Sequence, residues 1–210
     1  MKLYNYFRSS ASYRVRIALN LKGRAYEYIA VPILENAQRK PDYLERNPQG
    51  LIPALEVDGQ ILSQSLAIID YLDRRWPRPP LYPDEPCLRA KALSFALHVA
   101  AEISPLNNTR VLHHLSTLGI ADTTVKENWY RHWIAVGFQA LEAMLEGQSG
   151  PYCFGAQPTI ADIYLVPQLF NARRFNCDLA SFPKLVRFGD HARATEAFAR
   201  AAPELQPDAV

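Results

Sequence analysis

Residues 2–7 (KLYNYF) alternate and predict a first strand, which runs into the polar stretch Arg8-Ser9-Ser10-Ala11-Ser12. Hydroxyls in that position suit a helix N-cap. From Tyr13 to Lys22, Val15, Ile17, Ala18, Leu19 and Leu21 follow helical spacing, and Gly23 supplies the stop. An apolar strand is predicted over 26–32 (YEYIAVP), then a weak helix over 41–46 ending in Asn47-Pro48-Gln49-Gly50. LIPALEV and QIL flank Asp58-Gly59, the signature of a two-residue hairpin turn. Gln64 to Trp76 reads as a helix, with Leu66, Ile69, Tyr71 and Leu72 available for a buried face.

The predicted order is β-α-β-α-β-β-α. A helix between the first two strands favours parallel pairing, and the hairpin adds antiparallel strands. This is the order of a thioredoxin-like domain. Pro53 inside a strand pattern is explained by a cis Ile52-Pro53 bond at the strand entry. Pro77, Pro79, Pro80, Pro83 and Pro86 stop the helix and stiffen a connection. The expected organisation is therefore an α/β domain over 1–76, a linker over 77–86 and an all-helical domain over 87–210. Helices are expected over 86–118, 122–147, 159–174 and 183–199.

Composition adds exclusions. The 210 residues are 49% hydrophobic and 21% charged, and 23 Lys and Arg against 21 Asp and Glu leave a net charge of +2. That balance gives no reason to expect nucleic acid or a membrane surface as a partner. No stretch approaches the roughly 20 apolar residues of a membrane span, and the start of the chain shows no signal-peptide pattern. Cys87, Cys153 and Cys177 form neither a C-x-x-C nor a metal-ligand spacing, which points to free thiols in the cytoplasm. His113 and His114 face different sides of a helix, so no metal site is expected.

The chemistry sits in the punctuation. Ser9-Ser10-Ala11-Ser12 stands where a thioredoxin-like domain would carry paired cysteines, so thiol–disulfide exchange by the protein is excluded. Hydroxyls and free N–H groups at a helix start can instead hold an anionic sulfur supplied by a ligand, favouring thiolate over thiol. The alternative is a plain helix cap. A cis-proline leaves the backbone of Ile52 open to an extended peptide. Gln64 and Ser65, at another helix start, can hold a carboxylate; the alternative is an ordinary hairpin and cap.

With these residues in view, RSSASYRVRIALNLKG, NPQGLIPAL, ILSQSLAIIDYL and PTIADIYLVPQ resemble the zeta class of cytosolic glutathione transferases. The likeness runs from about Lys2 to Pro207, essentially the whole chain, and is close to bacterial maleylpyruvate isomerases and to maleylacetoacetate isomerases. Thr159 and Asp162 match the superfamily's capping box, a structural feature. The resemblance implies glutathione as cofactor and a homodimer. It implies that Ser9 holds the glutathione sulfur, with Ser10 and the N–H groups of Ala11 and Ser12 assisting and Arg8 beside them. Arg14 would support the loop. Ile52, with Pro53, would bind the cysteinyl backbone, Gln64 and Ser65 the γ-glutamyl carboxylate, and Gln38 and Gln49 the glycyl end. Ser104 and Asn108 join the cofactor set. The zeta pattern usually has cysteine where this chain has Ala11, so chemistry needing an enzyme thiol is set aside.

Arg110 and Arg174, with Arg8 and Asn108, would suit a small dicarboxylic keto acid through bidentate pairing, although each arginine alone reads as a surface residue. The implied reaction is cis–trans isomerisation of a maleyl keto acid, with glutathione's own sulfur as nucleophile. Two alternatives stay open: a general conjugating transferase, and a glutathione-binding protein without useful turnover.

Overall fold

Four short strands, Lys2–Asn5 (β1), Glu27–Ala30 (β2), Ala54–Val57 (β3) and Gln60–Ser63 (β4), form one sheet in the order β2-β1-β3-β4. The computed structural model describes residues 1–209. β1 and β2 are parallel, and the pairs β1–β3 and β3–β4 are antiparallel, as the connections predicted. Asp58 and Gly59 both take positive φ, at 49° and 74°, which is what a two-residue turn matched to the strand twist requires. Helices Ser10–Leu21 (α1), Pro41–Leu44 (α2) and Ser65–Arg75 (α3) complete the α/β part.

Alternation along the strands divides the apolar residues between two faces. Tyr4 and Ala54 pack with Val31 and Tyr43, and with Ile29, Ile52 and Ile61 at the margin. Leu3 and Leu55 are fully buried, as are Val15, Ile17 and Leu19 of α1 and Ile68, Ile69 and Leu72 of α3. An amphipathic helix packed on a sheet would bury one face. Instead every residue from Ser12 to Leu19 is buried, Arg14 and Arg16 included.

The second compact unit, Tyr82–Arg193, is helical: Pro86–Leu97 (α4), Thr109–Thr117 (α5), Thr123–Met144 (α6), Ile160–Arg174 (α7) and Pro183–Arg193 (α8). The expected helix over 86–118 is two helices. After α4 the chain widens into a π-helical stretch, His98–Ile103, and restarts at Asn108, the N-cap of α5. α7 is the centre, with Ile160 to Leu169 all buried. Gly189 of α8 lies so close to it that a Cβ there would sit 2.1 Å from Leu169 Cδ1.

The first unit comprises Met1–Leu81 together with the chain from Ala194 onward. Its boundary falls beyond Trp76 because the proline stretch is tied down. Lys22 Nζ pairs with Asp73 at 2.7 Å and also donates to the Pro79 carbonyl, while Leu81 N–H donates to Asp73 at 2.8 Å. The expected helix over 183–199 breaks at Thr195, which is extended, and resumes as Glu196–Ala199 (α9) against α1. Asn20 Nδ2 of α1 donates to the Ala197 carbonyl at 2.9 Å. The residues after Arg193 thus belong with the sheet, not with the helices that precede them.

Candidate active site

Ser9 is the N-cap of α1, in extended conformation, and its Oγ accepts from Ser12 N–H at 3.2 Å. Its own N–H donates to the Tyr6 carbonyl at 3.0 Å, and its carbonyl accepts from Tyr13 N–H at 2.8 Å. Capping therefore uses the oxygen of Ser9 as an acceptor and leaves its O–H to donate. The cap and the sulfur-holding role are compatible. Ser12 N–H, expected to assist at the sulfur, is spent on the cap. The N–H groups of Ser10 and Ala11 are the first-turn donors that have no carbonyl four residues back within the helix, and they carry its positive end. Ser12 Oγ is buried and has no hydrogen-bond partner among the described residues.

Arg8 is half-buried beside this cap. Its guanidinium donates to the Tyr6 hydroxyl at 3.2 Å and lies 5.0 Å over the Phe7 ring. Both contacts are to uncharged groups, so its positive charge is available to an anion. Arg14 is buried within α1.

The Ile52-Pro53 bond is cis, as expected, with Ile52 half-buried ahead of β3. The loop before it is shaped by residues whose role the sequence did not disclose. The Tyr43 hydroxyl and Asn47 Nδ2 both donate to the Leu51 carbonyl at 2.7 Å, and Asn47 Oδ1 accepts from Gln49 N–H at 3.2 Å. Burial pushes the Tyr43 phenol up to about 12, so it stays a neutral donor. Asn before Pro was the only signal, and it marked a turn without saying that Asn47 is buried.

Gln49 and Gln64 come together: Gln64 Nε2 donates to Gln49 Oε1 at 2.8 Å. Gln64 sits at the start of α3 with φ 68°, in the left-handed region that non-glycine residues rarely adopt, and its side chain does not cap the helix. The first-turn donors of α3 therefore have no side-chain partner from Gln64. Ser65, next along, is buried. Gln38 Oε1 is buried with no hydrogen-bond partner among the described residues. Gly50 joins these elements: at φ 58°, a Cβ would lie 3.2 Å from the Gln38 carbonyl and 3.1 Å from Arg39 Cδ. Gly50→Ala is expected to cost about 1 kcal/mol of stability and to raise KM for glutathione. Chemical denaturation and initial-rate kinetics check the two effects separately.

In the helical unit, Asn108 caps α5 by accepting from Arg110 N–H at 3.1 Å, which places both residues in one turn. Arg110 is exposed. Ser104 follows the π-helical stretch. Arg174 is the last residue of α7, exposed, with its guanidinium 4.8 Å from the Phe175 ring. Its neighbour Arg173 is paired with Asp190 at 2.6 Å.

Cys153 is buried and Cys177 half-buried, and burial pushes both thiols up, away from the thiolate form. Among the described residues no cluster could hold a metal ion, and no helix is long and apolar enough to cross a membrane.

Serine at the start of α1, a cis-proline ahead of β3 and a positive-φ Gln64 ahead of α3 are the features of a thioredoxin-like unit without its own thiols. Residues 3–80 match the glutathione S-transferase N-terminal domain and residues 127–193 the C-terminal domain of the same family. The chain belongs to the glutathione S-transferase family. It is 48% identical over 211 residues to a probable maleylacetoacetate isomerase of Vibrio cholerae, covering 99% of this chain and 97% of that protein. Among solved structures it is similar to the holo form of a maleylpyruvate isomerase, a bacterial zeta-class enzyme, with TM-score 0.98, 43% identity and 100% of both chains covered. It is also similar to a maleylacetoacetate isomerase of Methylobacterium extorquens bound to malonate and glutathione, with TM-score 0.96, 39% identity and 100% of both chains covered.

Proposed function

We propose that this chain is a glutathione-dependent cis–trans isomerase of a maleyl keto acid, acting in the breakdown of aromatic compounds. The observation that carries the reading is the start of α1. There a serine hydroxyl, two first-turn N–H groups and the guanidinium of Arg8 stand where a thioredoxin-like domain would place its own thiols. Bound glutathione supplies the thiolate, whose reversible addition to a cis double bond beside a ketone lets that bond rotate.

The chain's own residues do the rest. The Ser9 O–H donates to the sulfur, and the Ser10 and Ala11 N–H groups hold its negative charge. The backbone of Ile52 binds the cysteinyl unit, Gln64 and Ser65 bind the γ-glutamyl carboxylate, and Gln38 with Gln49 the glycyl end. The buried, unpartnered Gln38 Oε1 fits a polar ligand. Ser104 and Asn108 complete the cofactor set. Arg8, Asn108, Arg110 and Arg174 bind the substrate's carboxylates and oppose the charge that develops on its carbonyl oxygen. The dicarboxylate in the Methylobacterium extorquens relative supports this assignment. The protein is proposed to work in the cytoplasm, in keeping with free thiols at Cys87, Cys153 and Cys177, and as a pair of identical chains.

The test is a glutathione-dependent assay of maleylacetoacetate and maleylpyruvate side by side, with an aryl halide as the conjugation control. Turnover of the halide alone would sink the isomerase reading. Arg110→Ala and Arg174→Ala are each expected to raise KM for the maleyl acid about tenfold, the loss of one charged hydrogen bond. kcat should change less. An unchanged KM in both variants removes these arginines from the assignment.

A further inference from the structure

The peptide units just ahead of Arg8-Ser9 are held from the far end of the chain. Phe7 N–H donates to Asp208 Oδ2 at 3.2 Å, and the other oxygen of Asp208 accepts from the Tyr28 hydroxyl. The Phe7 carbonyl accepts from Arg16 Nη2 at 2.9 Å. Arg16 Nη1 donates to Asn5 Oδ1 at 3.0 Å and the Tyr6 carbonyl at 3.4 Å, and Nε donates to the Ala201 carbonyl at 3.0 Å. Phe7 is therefore clamped at both polar atoms of its backbone.

Arg16 is fully buried, and its hydrogen bonds go to carbonyl and amide oxygens. Burying a guanidinium is costly unless its nitrogens are hydrogen-bonded, and here all three are, to Asn5, Tyr6 and Phe7 on one side and to Ala201 of the closing segment on the other. Arg8 lies on the Phe7 ring and Ser9 N–H shares the Tyr6 carbonyl with Arg16. The closing segment is itself braced: Gln206 Nε2 donates to the Arg200 and Ala202 carbonyls at 3.1 and 2.8 Å.

The geometry points to Arg16 and Asp208 as positioning residues of the thiol site: they lock the Phe7 backbone to the closing segment and so set where Arg8 and Ser9 stand. This rests on Ser9 being the hydroxyl that holds the sulfur. Neither residue touches the ligand; each acts through the loop.

The full-length chain is compared with Asp208→Ala, Asp208→Asn, Arg16→Lys and Ser9→Ala. Three measurements are made: amide hydrogen exchange at Phe7 and Ser9 without glutathione, the titration midpoint of bound glutathione's thiol from thiolate absorbance, and kcat with the thermal midpoint. In Asp208→Ala, exchange at Phe7 should speed up about tenfold while the core of β3 stays protected, as for a local opening. The thiol midpoint should rise by about half a unit, and kcat should fall about fivefold with KM for glutathione little changed, as expected of a lost transition-state interaction. Asp208→Asn keeps an acceptor for Phe7 N–H and should recover most of this. Arg16→Lys keeps charge but not the fork that reaches Ala201, Asn5 and Phe7 together, so it should move the readouts in the same direction.

A wild-type midpoint and wild-type exchange in Asp208→Ala, beside a raised midpoint in Ser9→Ala, overturns the inference alone. An unmoved midpoint in Ser9→Ala overturns the reading of the site, and the inference with it. A kcat that merely follows the unfolded fraction, with the midpoint unmoved, also overturns it. Should Arg16→Lys fail to fold, Asp208→Ala decides.

Discussion

Ser9→Ala is expected to lower isomerase turnover by about ten- to a hundredfold, since a hydrogen bond to a charged group is worth about 1.5–3 kcal/mol and each 1.4 kcal/mol is about tenfold in rate. The same change removes the acceptor of Ser12 N–H and should cost about 1 kcal/mol of stability as a lost N-cap. The two effects separate. Ser9→Thr keeps a hydroxyl for both tasks and should retain most of the turnover and the cap. A variant with alanine that loses stability yet keeps wild-type turnover would reduce Ser9 to a cap. Steady-state kinetics and urea unfolding of both variants decide between these outcomes.

Asp162→Ala should be strongly destabilising. Asp162 is fully buried in the capping box of α7, where its carboxylate accepts from Thr159 N–H at 2.8 Å and Thr159 Oγ at 3.1 Å. It also accepts from Cys153 N–H at 2.9 Å, which pins the preceding turn to the central helix of its unit. Alanine leaves two buried N–H groups without acceptors at about 1–3 kcal/mol each, so a loss of about 3 kcal/mol of unfolding free energy is expected, read from a lowered urea midpoint. Burial pushes the Asp162 carboxyl up, against its hydrogen bonds, which pull it down. A carboxyl raised in the folded state binds its proton more tightly there. Stability should therefore fall as pH rises from the ordinary aspartate range through the raised value, and Asp162→Asn should flatten that slope.

Patterns of period two and 3.6 were enough to predict the sheet, the parallel pair and the helix–strand order, because each depends on residues close in the chain. Local chemistry also sufficed for the Asp58-Gly59 turn and the cis Ile52-Pro53 bond, and the family resemblance for the capping box at Thr159. Predictions failed where one segment met another distant in sequence. The long helix expected over 86–118 gives way to a π-helical stretch and a restart at Asn108, and no hydrophobic periodicity encodes such a change of winding. Within one turn, the resemblance gives Ser12 N–H to the ligand, whereas the structure uses it in the N-cap bond to Ser9 Oγ that hydroxyls ahead of a helix favour. Gln49 and Gln64 were named separately, and only folding set them within hydrogen-bond distance.

The thiol-holding candidates at the start of α1 were legible from residue order alone: hydroxyls after a strand, before a helix, with no cysteine among them. Their surroundings were not. Arg16 reads in the sequence as one polar residue on a helix, and Asp208 as a charge near the chain's end. Packing of the last residues onto the sheet buries the first and brings the second to Phe7 N–H. Local sequence sets conformational preference and hydrogen-bonding capacity residue by residue. Which buried donor meets which acceptor is decided only when distant segments close on one another, since each buried polar group must find a partner that the collapsed chain puts within reach.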